Sequence, residues 1–122
     1  MSASPFQAEI RQTEDVPNTR EIRIRGRVTF DEAPDLRKTI LSELATTAAS
    51  RMILELGGIG KMDTSGAAVL AEALKVGQSK GMRVLLCGPS ESVLRIFRLA
   101  GFEEVQSHCC SDWQETRKRL LE

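Results

Sequence analysis

An α/β fold on a mixed, mostly parallel central sheet is what this sequence predicts, with an antiparallel N-terminal hairpin and about four helices. Three features carry that prediction. Short apolar runs of strand length, Arg51–Leu56 and Arg83–Cys87, are each followed by apolar residues at three- and four-residue spacing, the signature of a strand feeding a helix. Such alternation implies parallel pairing through crossover connections. The first part of the chain instead alternates with a period of two, as strands of a hairpin do. At 122 residues the chain suits one domain with one main core, spanning 1–122, with its core at about 20–106 and a terminal helix at about 112–121. No repeat or low-complexity linker interrupts it.

The first strand is expected over Phe6–Thr13, where Phe6, Ala8 and Ile10 face one way and Gln7, Glu9 and Arg11 the other. Pro17-Asn18 marks a turn. From Arg20 the alternation sharpens, with Ile22, Ile24 and Gly26 opposed to Glu21, Arg23, Arg25 and Arg27, which completes a hairpin with a charged outer face. The arginines suggest an RNA surface, but no aromatic residues lie between them to stack on bases, and a solvated strand face accounts for them. Asp31-Glu32-Ala33-Pro34 opens a helix, because proline is accommodated in the first turn; Leu36, Ile40, Leu41 and Leu44 form its inward stripe.

The strand Met52–Leu56 comes next, and then a helix to about Lys80 that carries Ala67, Leu70, Ala71, Leu74 and Gly77 on one face. Gly81 supplies its left-handed cap. Val84–Cys87 is another buried strand. Gly88-Pro89-Ser90-Glu91 starts a helix bearing Val93, Leu94, Ile96, Phe97 and Ala100, which Gly101 ends. Phe102–Val105 is expected to add a last short strand, and Asp112–Leu121 an amphipathic helix with Trp113 and Leu120. Leu54, Leu56, Leu70, Leu74, Leu85 and Phe97 should be core residues.

Asp63-Thr64-Ser65-Gly66 stands where a buried strand hands over to a helix. The first amides of a helix lack intrahelical partners and carry partial positive charge. A hydroxyl there can cap the helix, which is its ordinary use, and a phosphate on that hydroxyl would be electrostatically favoured. Ser65 is expected to begin the helix with its hydroxyl accessible. Gly57-Gly58-Ile59-Gly60-Lys61 superficially resembles a nucleotide phosphate loop, but Glu55 stands where the first glycine should be and Met62 follows the lysine. Loops after the carboxyl ends of parallel strands converge on one edge of a sheet, so Thr29-Phe30, Asp63-Thr64-Ser65 and Gly88-Pro89-Ser90 are expected near one another.

Seventeen basic and seventeen acidic residues cancel, so no global field draws the protein to nucleic acid or an anionic membrane. The apolar runs are too short to cross a bilayer, and Met1-Ser2-Ala3-Ser4-Pro5 lacks the pattern of a secretory signal, which points to the cytoplasm. Cys87 reads as a buried thiol within a strand, and Cys109-Cys110 after His108 as thiols in a loop, since no second pair exists to complete a zinc site. With a single histidine, no nucleophile and base stand out. The sequence thus points to a protein-binding domain, with no catalysis, metal or organic cofactor.

Several blocks together resemble the STAS domain family, shared by sulfate transporters and bacterial anti-sigma-factor antagonists. They are Gly26-Arg27-Val28-Thr29-Phe30 with Ala33-Pro34-Asp35-Leu36, then Leu54-Glu55-Leu56 leading to Met62-Asp63-Thr64-Ser65-Gly66. Leu86-Cys87-Gly88, Val93-Leu94-Arg95-Ile96-Phe97 and Leu99-Ala100-Gly101-Phe102 complete the match, which runs from about Ile22 to about Val105. The resemblance implies that Ser65 is phosphorylated by an anti-sigma factor with serine kinase activity. It also implies that the unmodified form binds that partner through Thr29, Phe30, Asp63, Thr64 and Gly66, and that a phosphatase restores it. Many antagonists carry an acidic residue where this chain has Thr29, and another where it has Arg27. Small members of the family also act as accessory subunits of lipid-transporting ABC complexes, docking on the ATPase; there the same edge would be a constitutive interface. A transporter's cytoplasmic tail is disfavoured, because the chain contains no membrane span.

Overall fold

The computed structural model describes residues 6–13 and 15–122. Residues 1–5, which bear on the secretory-signal reading, lie outside them, as does Glu14. In chain order the elements are β1 (Phe6–Gln12), β2 (Thr19–Val28), α1 (Ala33–Thr46), β3 (Arg51–Met62), α2 (Thr64–Ser79), β4 (Arg83–Cys87), α3 (Glu91–Leu99), α4 (Glu103–Ser107), β5 (Cys109–Cys110) and α5 (Trp113–Leu121). The strands form one sheet in sequence order, with β1 antiparallel to β2 and every later pair parallel. The expected mixed α/β sheet with its opening hairpin is therefore what the chain adopts.

The period of two in each strand sorts its side chains between two unequal cores. Ile22, Ile24, Met52, Leu54, Leu56, Val84 and Leu86 face α1, α2 and α3 and make the large cluster with Leu36, Ile40, Leu44, Leu70, Leu74 and Phe97. All six residues named as core from the sequence are buried. Each buried leucine among them contributes about 1.5–3 kcal/mol. On the other face Ile53, Leu85, Cys87 and Cys110 meet Val16 and Leu120 in a small cluster, against which Trp113 of α5 packs. Beyond α5 this second face is charged, with Glu9, Arg11, Glu21, Arg23 and Glu55 in neighbouring register positions. No described helix is long and apolar enough to cross a membrane.

Helix ends follow the expected chemistry. Ser90 caps α3 by accepting from the Val93 amide, and Asp112 caps α5 by accepting from Glu115. Gly81 closes α2 in the left-handed region at φ 77°, with the Met82 amide donating back to the Gly77 carbonyl. Gly101 repeats this geometry after α3, where the Phe102 amide donates to Phe97.

Two expectations fail. Phe102–Val105 is not the last strand: the Phe102 carbonyl accepts from Gln106, which starts the one-turn helix α4, and the strand is Cys109–Cys110 instead, where a loop is expected. The strand expected at Met52–Leu56 also runs on to Met62, with two register shifts against β2. Gly57, Gly58 and Gly60 interrupt the apolar pattern there, yet they suit a bulged strand. A Cβ on Gly58 would meet Arg25 Cγ at 2.6 Å.

Candidate functional site

The long β2–β3 pair ends at Val28 opposite Met62, and from that end two loops leave side by side. Asp63 joins them. Its Oδ1 accepts from the Gly66 amide at 3.1 Å, capping α2, and its Oδ2 accepts from the Phe30 amide at 2.9 Å in the loop after β2. The cap is thus the carboxylate, and the hydroxyls of Thr64 and Ser65 stand one and two residues inside the helix. Thr64 is exposed. Ser65 is half-buried, and no described residue hydrogen-bonds its hydroxyl. Gly66 is buried; a Cβ there would strike the Val28 carbonyl oxygen and lie 2.9 Å from Met62 Cγ. It lets the helix start press against the end of β2.

The Thr29–Glu32 turn is held by a carboxylate too. Glu32, only 3% exposed, accepts from the Thr29 amide at 2.9 Å, the Thr29 hydroxyl at 2.7 Å, and Arg27 Nη2 and Nε at 2.9 and 3.2 Å. The Arg27 guanidinium, then the two Thr29 bonds, hold its carboxyl well below the usual range, at about 2. Around this one buried acid the chain places a neutral hydroxyl and a cation.

Phe30 closes the turn and is 74% exposed. With Ala33, Pro34, Arg37, Ser65 and Val69 it lines a shallow, mainly apolar depression of about 320 Å³. Arg37 is turned along its rim by Glu72 of α2, to which it donates at 2.6 and 2.9 Å. A half-open hydroxyl therefore sits on the wall of an apolar dish whose far side is an exposed aromatic ring. That is the chemistry of a protein-docking surface.

Of the loops expected to meet, Thr29-Phe30 and Asp63-Thr64-Ser65 do, and Gly88-Pro89-Ser90 does not. β4 ends opposite Glu55, and Gly88 lies beside Gly57, five residues and roughly 15 Å of strand short of Met62. The separation follows from the unforeseen length of β3. Sequence reasoning also missed the Arg27–Glu32 clasp and the parts played by Ala33, Pro34, Arg37 and Val69. Ser65 and Val69 stand four apart on one helix, which is the one signal that could have pointed to the dish.

The thiols lie elsewhere. Cys87 and Cys110 are buried neighbours in the small cluster, and burial pushes the half-buried Cys109 thiol up to about 12. His108 lies beside Gln78, at 3.1 Å.

The STAS domain family model matches residues 7–116. Among solved structures, the Bacillus cell fate determinant SpoIIAA in its phosphorylated form aligns with a TM-score of 0.68 at 19% identity, over 96% of this chain and 99% of that one. An anti-sigma factor antagonist from Mycobacterium paratuberculosis aligns at 0.74 and 18% identity over 100% of both chains. The murine anion transporter Slc26a9 aligns at 0.78 and 14% identity, over 95% of this chain and 22% of the transporter. These likenesses are of fold.

Proposed function

The chain belongs to the STAS domain family, and we propose that it is an anti-sigma-factor antagonist of a bacterial cytoplasm that binds a kinase-type anti-sigma factor until Ser65 is phosphorylated. The observation that carries this reading is the placement of Ser65. Its hydroxyl has no partner among the described residues and opens beside the exposed Phe30 ring on an apolar dish, so a kinase can reach it and a partner can cover it.

Phe30 is the anchor of that contact, since an exposed aromatic on a rigid turn loses little entropy on docking. Thr29 and Asp63 act behind it, one through Glu32 and the other through the Phe30 amide; Gly66 acts by letting the helix start lie close. Phosphate brings about −1.5 to −2 charges to Ser65, next to the Asp63 carboxylate and inside a dry interface. Repulsion and desolvation then open the complex, while the first amides of α2 make the free phosphoprotein tolerable. Likeness in fold to one antagonist, SpoIIAA, solved in both phosphorylation states, supports the reading.

Incubation with the kinase-type anti-sigma factor and ATP, followed by peptide mass spectrometry, should place one phosphate on Ser65 and abolish co-elution of the pair. Stable co-elution with an ABC ATPase in place of any phosphate transfer would instead establish the constitutive accessory-subunit role, for which the apolar dish is equally suited.

A further inference from the structure

We propose that the free edge of β1 pairs with β1 of a second copy of this chain, antiparallel about a two-fold axis at Ile10, joining two five-stranded sheets into one. Among the described residues β1 is bonded to β2 on one side only, and its other side presents unpaired amides and carbonyls. Edges of this kind are usually blunted by proline, lysine or a bulge. Phe6–Gln12 has neither residue, its register with β2 runs without a shift, and its two charges, Glu9 and Arg11, are of opposite sign. On its apolar side Phe6 and Ala8 pack against the main core, but Ile10 is 40% exposed.

The charges on the other side choose the occupant and the register. Within one copy Glu9 stands opposite Arg23, and Arg11 opposite Glu21, with Arg11 Nε 3.8 Å from the Glu21 carboxylate. Directly opposed residues of an antiparallel pair share a face. A two-fold axis at Ile10 therefore sets Glu9 of each copy against Arg11 of the other, with the two Ile10 side chains together on the apolar side. Since Glu55 faces Arg23, the charged row then reads Glu55, Arg23, Glu9, Arg11, Glu21 across the junction, alternating in sign at every step.

Neighbouring registers lose this match. An axis at Glu9 or at Arg11 puts like charges in contact, and one at Ala8 leaves both residues without an opposite charge. Shifting by a single residue turns the charged face of one copy onto the apolar face of the other. A junction of one short strand falls below the area of a stable interface, so association is weak and concentration-dependent.

Sedimentation velocity under reducing conditions, from roughly 10 μM to 1 mM, reads this directly. The wild type should move toward a dimer as concentration rises. Glu9→Arg and Arg11→Glu should each weaken association about tenfold, because each creates two like-charge pairs across the axis. An equimolar mixture of the two should regain wild-type association, since every opposed pair is then of opposite sign. Ile10→Thr, which keeps the charges and suits a strand, should also weaken it, in protein whose circular dichroism matches wild type. A wild type that stays monomeric at the highest concentration overturns the proposal. So does undiminished association of the charge variants, or a mixture of the folded variants that remains monomeric.

Discussion

Asp63 holds amides from two separate parts of the chain, so its loss costs more than a helix cap alone. Asp63→Ala should destabilise the fold by roughly 1–3 kcal/mol in urea denaturation, the sum of a cap and a second charge-assisted bond. Asp63→Asn, with one acceptor oxygen in place of two, should fall between it and wild type. Ser65 makes neither bond, so Ser65→Ala should change stability by no more than about 0.5 kcal/mol and keep the partner bound. Ser65→Asp should fold normally and bind weakly, by repulsion beside Asp63. Calorimetric titration of the two into the partner separates the readings: equal affinities would sink the phosphoswitch. Glu32 sets a pH dependence. Its carboxyl is held at about 2 in the fold against an ordinary 4.5, so its contribution is complete above about 4.5 and disappears as pH falls toward 2. Thermal melting across that window should show a shallower fall for Glu32→Gln than for wild type, and parallel curves would remove the clasp from the account.

At the scale of elements, the close approach of α2 to the end of β2 depends on one missing side chain. Gly66→Ala pushes a methyl into the Val28 carbonyl, where backbone has to move, and should cost roughly 1–3 kcal/mol in urea denaturation while also displacing Ser65. An alanine there that leaves both stability and partner affinity intact would show that the contact yields easily. The helices were the most legible elements because their signals are local: Pro34, Ser90 and Asp112 at starts, Gly81 and Gly101 at ends, and apolar spacing between. The strands were legible where period-two alternation marks them, as in β1 and β2, or where a continuous apolar run does, as in β4 and the first half of β3. Gly57-Gly58-Ile59-Gly60 gives no such run, because those residues cross bulges where backbone pairing with β2 and the one buried side chain of Ile59 hold the strand. The same limit hid β5. Two cysteines carry no periodicity, and their strand exists because β4 offers a free edge that they complete.

For the whole molecule, the missed half of β3 is also why the site was only partly legible. Ser65 could be placed from its local pattern, and Phe30 from the topology of parallel strands, but the distance to Gly88 depends on how far β3 outruns β4. Pairing at long sequence separation decides that, and no local pattern records it. The same sheet carries two cores of unequal size on its two faces, and this division predicts how the molecule comes apart. α5 meets the second face through Leu120, 1% exposed within the small cluster of Val16, Ile53, Leu85, Cys87 and Cys110, and through the fully buried Thr116. The main core lies on the opposite face and shares none of those residues. Leu120→Ala should therefore cost roughly 2–4 kcal/mol locally, enough to release α5 ahead of the rest. Trp113, the only tryptophan in the chain, packs against this cluster and reports on it alone. In the variant, its fluorescence should shift to the red at lower urea than the far-ultraviolet circular dichroism signal is lost, where in wild type the two transitions coincide. Ser65 sits above the main core, so binding through the apolar dish should survive the release of α5. Coincident transitions in Leu120→Ala, or loss of partner binding with the first of them, would mean that the two faces of the sheet fold as one unit.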